Sequence, residues 1–172
     1  MEIRRLTATA AAAFQALRLR ALRENPEAFG STYADEVNRP VDAVAARLGA
    51  DPTESVVLAA ARAPGAPLAG VVGCYREGGR KRRHVGVVWG MFVAPEARGR
   101  GLGRALLVAL VAEARAWPGL EQLTLTVVPE NAAARALYVR HGFRSVGLAA
   151  RALRDEARYY DLESLWLPLD AR

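Results

Sequence analysis

Met91-Phe92-Val93-Ala94-Pro95-Glu96-Ala97-Arg98-Gly99-Arg100-Gly101-Leu102-Gly103-Arg104 is the stretch that decides how the chain is read. Its first residues close a β-favouring run over residues 84–93. Its last residues open a run in which Leu106, Leu107, Leu110, Val111 and Ala114 recur on one helical face. A strand therefore passes into a helix across a turn holding Gly99, Gly101 and Gly103. Glycine lets backbone N–H groups come close to a ligand, and the first amides of a helix have no partner within it. Such a turn attracts anions, and Arg98, Arg100 and Arg104 add charge to it. A diphosphate would satisfy all of these groups at once. A P-loop requires Gly-Lys-Ser/Thr, and no lysine lies near. A dinucleotide turn requires G-x-G-x-x-G directly after its strand, whereas the spacing here is G-x-G-x-G behind a Pro-Glu-Ala-Arg spacer.

Outward from this turn, the composition is that of one packed domain. The 172 residues are 52% hydrophobic and 24% charged, which excludes a disordered tail, and neither a repeat nor a long linker divides residues 1–172. The net charge is +6, carried almost wholly by arginine, a residue suited to bidentate contacts with phosphate and carboxylate. No helix-turn-helix pattern or interleaving of basic and aromatic residues accompanies that charge, so no nucleic-acid partner is expected. Apolar runs stop well short of a membrane span, and the N-terminal stretch lacks the pattern of a secretory leader. Cys74 stands alone, without zinc-type spacing of Cys and His, so neither a disulfide nor a metal is expected and a cytoplasmic location is the natural reading.

The remaining elements follow from period and punctuation. A strand is predicted over residues 2–6. A helix follows Thr7 or Thr9, carries Phe14, Leu17, Ala21 and Leu22 on one face, and stops before Pro26. A loop over residues 27–40 leads to a helix at 41–48. Residues 55–61 and 68–75 read as strands joined by Ala63-Pro64-Gly65-Ala66-Pro67. Gly90 inside the strand 84–93 predicts a bulge. A strand at 120–128, a helix at 131–141 ending at Gly142, and a final hairpin of residues 143–148 and 159–167 with a long connection complete the chain.

Arg98-x-x-Gly101-x-Gly103 behind Met91-Phe92-Val93 is similar to the acetyl-coenzyme A (acetyl-CoA) signature of the GNAT superfamily of N-acetyltransferases. Downstream, Asn131, Ala134, Leu137, Tyr138, Gly142 and Phe143 resemble the family's N-x-x-A-x-x-L-Y-x-x-x-G-F block. The resemblance implies an α+β fold, a mixed and mostly antiparallel sheet of about six or seven strands flanked by helices. It implies that the edge at Met91, Phe92 and Val93 receives the pantetheine arm where two strands part. The diphosphate would lie on Arg98, Gly99, Arg100, Gly101, Leu102, Gly103 and Arg104, with Asn131, Ala134 and Tyr138 also on the cofactor.

The implied reaction is direct attack of a primary amine on the thioester in a ternary complex. A phenol at Tyr138 would sit beside the sulfur and protonate or hydrogen-bond the leaving thiolate. Many members carry a glutamate on the strand before the cofactor turn, but residues 84–93 hold no carboxylate. Glu36 or Asp35 from the loop, Asp161 from the hairpin, or ordered water is left as the base. Phe29, Tyr33, Glu36, Trp89 and Tyr160 are expected to line the acceptor pocket, with carboxylates and aromatic faces suited to a cationic amine. The acceptor, a small molecule or a protein amine, is not read from the sequence, and the family admits a homodimer. A module that binds acyl-CoA without turnover is the alternative.

Overall fold

The structure, a computed structural model, describes residues 2–169. Its strands β1 (Glu2–Arg5), β2 (Ser55–Ala61), β3 (Leu68–Arg76), β4 (Val85–Val93), β5 (Gln122–Val127), β6 (Arg144–Asp155) and β7 (Arg158–Pro168) form one sheet in the order β1-β2-β3-β4-β5-β7-β6. Every pairing is antiparallel except β4 with β5. The fold is α+β, with helices α1 (Ala11–Glu24), α2 (Tyr33–Val37), α3 (Val41–Leu48), α4 (Leu102–Arg115) and α5 (Ala132–Arg140).

Strand periodicity divides the core between the two faces of the sheet. On β2, Val56, Leu58 and Ala60 join a cluster with Leu106, Leu107 and Leu110 of α4, while Val57 and Ala59 face Phe14 and Leu17 of α1 and Val44 of α3. A strand covered on both sides reads as a continuous apolar run, and Ser55–Ala61 is one. Leu106, Leu107 and Leu110 are wholly buried, each worth about 1.5–3 kcal/mol of transfer free energy, so this helix is anchored firmly beneath its own N-terminus.

Three local features differ from expectation. The loop before α3 contains the helical turn α2, started by a reciprocal cap in which the Asp35 amide donates to Thr32 Oγ1 and the Thr32 amide to Asp35. Neither Thr7 nor Thr9 caps α1; Thr7 precedes a short 3-10 turn and makes no side-chain cap bond. The final hairpin has no long connection, because β6 runs on to Asp155, which pairs with Arg158. An irregularity between Ala149 and Leu153, with Arg151 at φ +52°, lets β6 absorb the polar residues that obscured its periodicity.

Candidate active site

β4 and β5 pair only from Val85 with Gln122 to Val87 with Thr124, then separate. The separation has a local cause on β4. Gly73 of β3 pairs with Trp89 and Val71 with Phe92, so the register slips by one residue, and Gly90 in that interval has φ +66°. A bulge bends its strand and ends regular pairing, which is what opens the sheet here. Two cavities lie along the opening. A cavity of about 620 Å³ includes Val87, Val88, Trp89 and Gly90, and a groove of about 370 Å³ includes Met91, Phe92 and Val93. Ala28 and Phe29 line both.

The groove runs to the glycine turn. Gly99 and Gly101 have φ +73° and +78°, and Gly101 is the N-cap of α4 without any side-chain cap. The first intrahelical bond, from the Ala105 amide to the Gly101 carbonyl, leaves the amides of Leu102, Gly103 and Arg104 free of helical partners. Those amides and the helix dipole make an anion cradle. Arg98, Gly99, Gly101, Leu102 and Gly103 line the groove. Arg98 also shapes it, donating from Nε to the Val93 carbonyl at 2.9 Å and from Nη2 to Asn25 at 3.1 Å. Arg100, in the turn before α4, instead lines a small depression with Arg62, and Arg104 is exposed on α4 outside the groove.

Helix α5 supplies the opposite wall. Asn131 caps it by accepting from the Ala134 amide at 3.2 Å, and Asn131, Ala133, Ala134 and Leu137 line the groove. Tyr138 lies one residue beyond, in the core beneath. Its ring meets Phe143 edge-on at 5.7 Å, and it is 7% exposed. Burial pushes its phenol above the ordinary value, so the hydroxyl keeps its proton throughout the physiological range. Cys74, wholly buried and pushed up to about 12 by burial, is a packing residue and not a nucleophile.

On the far side of the opening, Glu36 reaches back from α2 to Arg18 of α1. Arg18 Nη2 donates to Glu36 Oε1 at 2.9 Å, and its Nε contacts both carboxylate oxygens. Burial raises the Glu36 carboxyl, but the Arg18 hydrogen bonds and charge, with Ser31 and Arg39, outweigh it and hold it below the ordinary value. A carboxylate so engaged is a poor proton acceptor. Trp89 and Phe29 also line this cavity; Trp89 packs edge-on against Phe14 at 6.3 Å and lies over Gly73, where a Cβ would approach its ring to 2.3 Å.

Four expected residues do not join them. Tyr33 stacks on Arg23 in a separate shallow depression, because α2 turns its first residue outward. Tyr160 is buried in the hairpin opposite Leu153. Asp161 accepts from the Arg151 amide at 2.7 Å, so its carboxylate pins the β6 irregularity. Asp35 is consumed by the α2 cap. Sequence reasoning missed Arg39, Arg47 and Arg18, all of which line the larger cavity. Arg18 carried a readable signal: it falls between Phe14 and Leu22 on the buried face of α1, where a lone arginine needs a reason.

A family model described as the acetyltransferase (GNAT) family matches residues 15–143. The chain is 44% identical over 66 residues to a mycothiol acetyltransferase from Beutenbergia cavernae, covering 38% of this chain and 22% of that protein. It is 37% identical over 79 residues to a phosphinothricin N-acetyltransferase from Streptomyces coelicolor, covering 46% of each. The matches thus span from about a fifth to just under half of these curated relatives. An acetyltransferase of the GNAT family from Streptococcus pneumoniae has a solved structure that superposes with a TM-score of 0.86 at 26% identity, over 97% of this chain and 98% of that one.

Proposed function

The chain belongs to the acetyltransferase (GNAT) family, and from that premise we propose that it transfers an acetyl group from acetyl-CoA to the primary amine of a small molecule, by direct attack in a ternary complex. The observation that carries this reading is the meeting of two cavities at the point where β4 and β5 part, with Phe29 between them. One is suited to the cofactor, because its free helix-terminal amides and two left-handed glycines form a cradle for a diphosphate. When bound, acetyl-CoA supplies an activated thioester to the site.

The chain's own residues do the rest. The amides of Leu102, Gly103 and Arg104 hold the diphosphate, and the unpaired edge of β4 at Met91 and Phe92 receives the extended arm by strand addition. Asn131 and Ala134 close the other side. The amine approaches from the larger cavity, past Trp89 and Gly90, and gives up its proton to water there, since β4 carries no carboxylate and Glu36 is held by Arg18. As the new C–N bond forms and the C–S bond breaks, the departing sulfur accepts a hydrogen bond from the Tyr138 hydroxyl and leaves as the thiolate of CoA. The similarity to a mycothiol acetyltransferase and a phosphinothricin N-acetyltransferase favours small acceptors over protein ones.

The test is thiol release from acetyl-CoA across a panel of primary amines, with the product identified by mass. Acetyl-CoA-dependent acetylation of at least one small amine is the expected result. Tight acetyl-CoA binding with no thiol release across the panel would replace this reading by that of a non-catalytic acyl-CoA-binding module.

A further inference from the structure

The larger cavity is lined by four arginines, Arg18, Arg39, Arg47 and Arg82, and by only two carboxylates, Glu36 and Glu77. Both carboxylates are already paired, Glu77 with Arg82 at 2.7 Å and Glu36 with Arg18 at 2.9 Å. Among the described residues, Arg39 and Arg47 have no carboxylate within ion-pair distance. The expected cavity for a cationic amine is thus reversed in sign, and the reversal comes from tertiary placement: Arg18 arrives on α1, Arg39 just after α2 and Arg47 on α3.

Two further details show a site that is built and incomplete. Arg47 Cζ lies over the Trp89 ring, 3.9 Å from its centroid, which holds the guanidinium at the cavity wall. Arg47 is exposed as a residue; partial desolvation of its guanidinium and then the charge of Arg39 push its pKa down, Glu36 opposes and Arg18 adds to the push. Arg18, 8% exposed, has a buried Nη1 with no hydrogen-bond partner. A buried charged donor without a partner is costly, and an anion in the cavity would relieve both the unpaired donor and the repulsion among the arginines.

We propose that Arg47, Arg39 and Arg18 form a subsite for an anionic group on the acceptor, a carboxylate or an oxyanion of similar shape, so that the amine accepted is that of a small amino acid-like zwitterion. This rests on the acetyl-transfer reading above and deepens it. Arginine forks match a carboxylate bidentately, and Trp89 holds one such fork in place before the ligand arrives. Trp89 stands two residues before Met91, across the Gly90 bulge. That is a span over which one small molecule can place its anion on Arg47 and its amine at the opening. Glu36 acts as a positioning residue, aligning Arg18.

The experiment uses acceptors matched in the amine and differing in the anion: amino acids, their carboxamides, and the amines left when the carboxylate is replaced by hydrogen. For the best acid in the panel, kcat/KM should exceed that of its carboxamide by 10-fold or more, chiefly through KM, since one charge-assisted pair contributes on the order of 1.5–3 kcal/mol. Arg47→Gln should bring the two to near equality, and Arg47→Lys should restore part of the preference. A separate readout needs no turnover: calorimetry with desamino acids, in which hydrogen replaces the amine, on the CoA-loaded protein should show binding that Arg47→Gln weakens by a similar factor. Equal use of acid and carboxamide, or preference for a polyamine, overturns the subsite while leaving acetyl transfer intact. Arg47-dependent binding of desamino acids with no amine ever acetylated would uphold the anion subsite and defeat the transfer reading instead. Circular dichroism of each variant shows that it folds, as expected for a side chain at the cavity wall.

Discussion

Replacing Tyr138 by phenylalanine removes one hydroxyl and keeps the ring. The edge-on contact with Phe143 at 5.7 Å survives, and the only influence on the phenol is burial, with no hydrogen bond acting on it. Deleting a hydroxyl that satisfies nothing costs little, so stability should change by less than about 1 kcal/mol in either direction. The kinetic effect should be larger. A hydrogen bond to a group that becomes negatively charged is worth about 1.5–3 kcal/mol, and at about 1.36 kcal/mol per decade kcat should fall roughly 10- to 150-fold. Because burial holds the phenol above its ordinary value, the wild-type hydroxyl stays protonated across a neutral assay range and adds no basic limb of its own to the pH profile. The assay is thiol release at saturating amine, with acetyl-CoA affinity measured by calorimetry, and the affinity should be unchanged. If kcat of Tyr138→Phe equals that of the wild type under conditions where solvent viscosity does not affect the rate, chemistry is limiting and the hydroxyl takes no part. The residue then serves only to pack α5 against the sheet.

At the cofactor turn, Gly103 gives a cleaner test than Gly101, whose φ of +78° strains any side chain. A Cβ at Gly103 would sit 3.4 Å from Leu137 and 3.7 Å from Val93, both groove-lining residues. Gly103→Val should therefore leave the melting temperature near that of the wild type yet weaken acetyl-CoA binding 10-fold or more by calorimetry, roughly the 1.4 kcal/mol of one misplaced contact. In Gly73→Ala the new methyl would meet the Trp89 ring at 2.3 Å, so the indole must move. Destabilisation of about 1–3 kcal/mol in urea unfolding is expected, with a shifted tryptophan emission and a raised KM for the amine. Acid should destabilise the fold through three glutamates whose carboxyls lie below their ordinary value: Glu163, held by Arg135; Glu96, held by Arg20 and brought down to about 2; and Glu36, where Arg18 outweighs burial. A depressed carboxyl stabilises the fold above its unfolded value and loses that contribution as pH falls through its folded one. The melting temperature should accordingly drop between the ordinary 4.5 and about 2, and Glu163→Gln should flatten that slope; an unchanged slope would remove the Arg135 pair from the account.

The opening of the sheet links these predictions to one structural cause. A single glycine with φ +66° on β4 shifts the register against β3, ends the pairing with β5 after Val87, and divides one strand between two cavities. Regular pairing to the end of β4 would fill the gap with backbone hydrogen bonds and leave no edge for a second extended chain. Arg135 reinforces the arrangement from α5 by binding buried Glu163 of β7 at 2.6 and 3.0 Å, which keeps Tyr138 and the groove wall against the sheet.

Sequence alone was sufficient for what depends on neighbours along the chain. The apolar run Ser55–Ala61, the Gly90 bulge and the glycine turn before α4 all follow from side-chain period and backbone sterics over a few residues. These local rules located the elements, and the resemblance of the two motifs to the GNAT family implied the fold and where the cofactor would lie. They did not extend to the acceptor side. Arg18 meets Glu36 across 18 positions, Arg47 stacks on a tryptophan carried by another element, and Asp161 turns inward to the backbone of Arg151. A charged residue's role is set by which opposite charge, ring or amide lies within a few ångströms, and that is decided only when distant segments pack. Tertiary structure therefore changed an expected pocket for a cation into one with arginines to spare, although the residues that make it were in plain view along the chain.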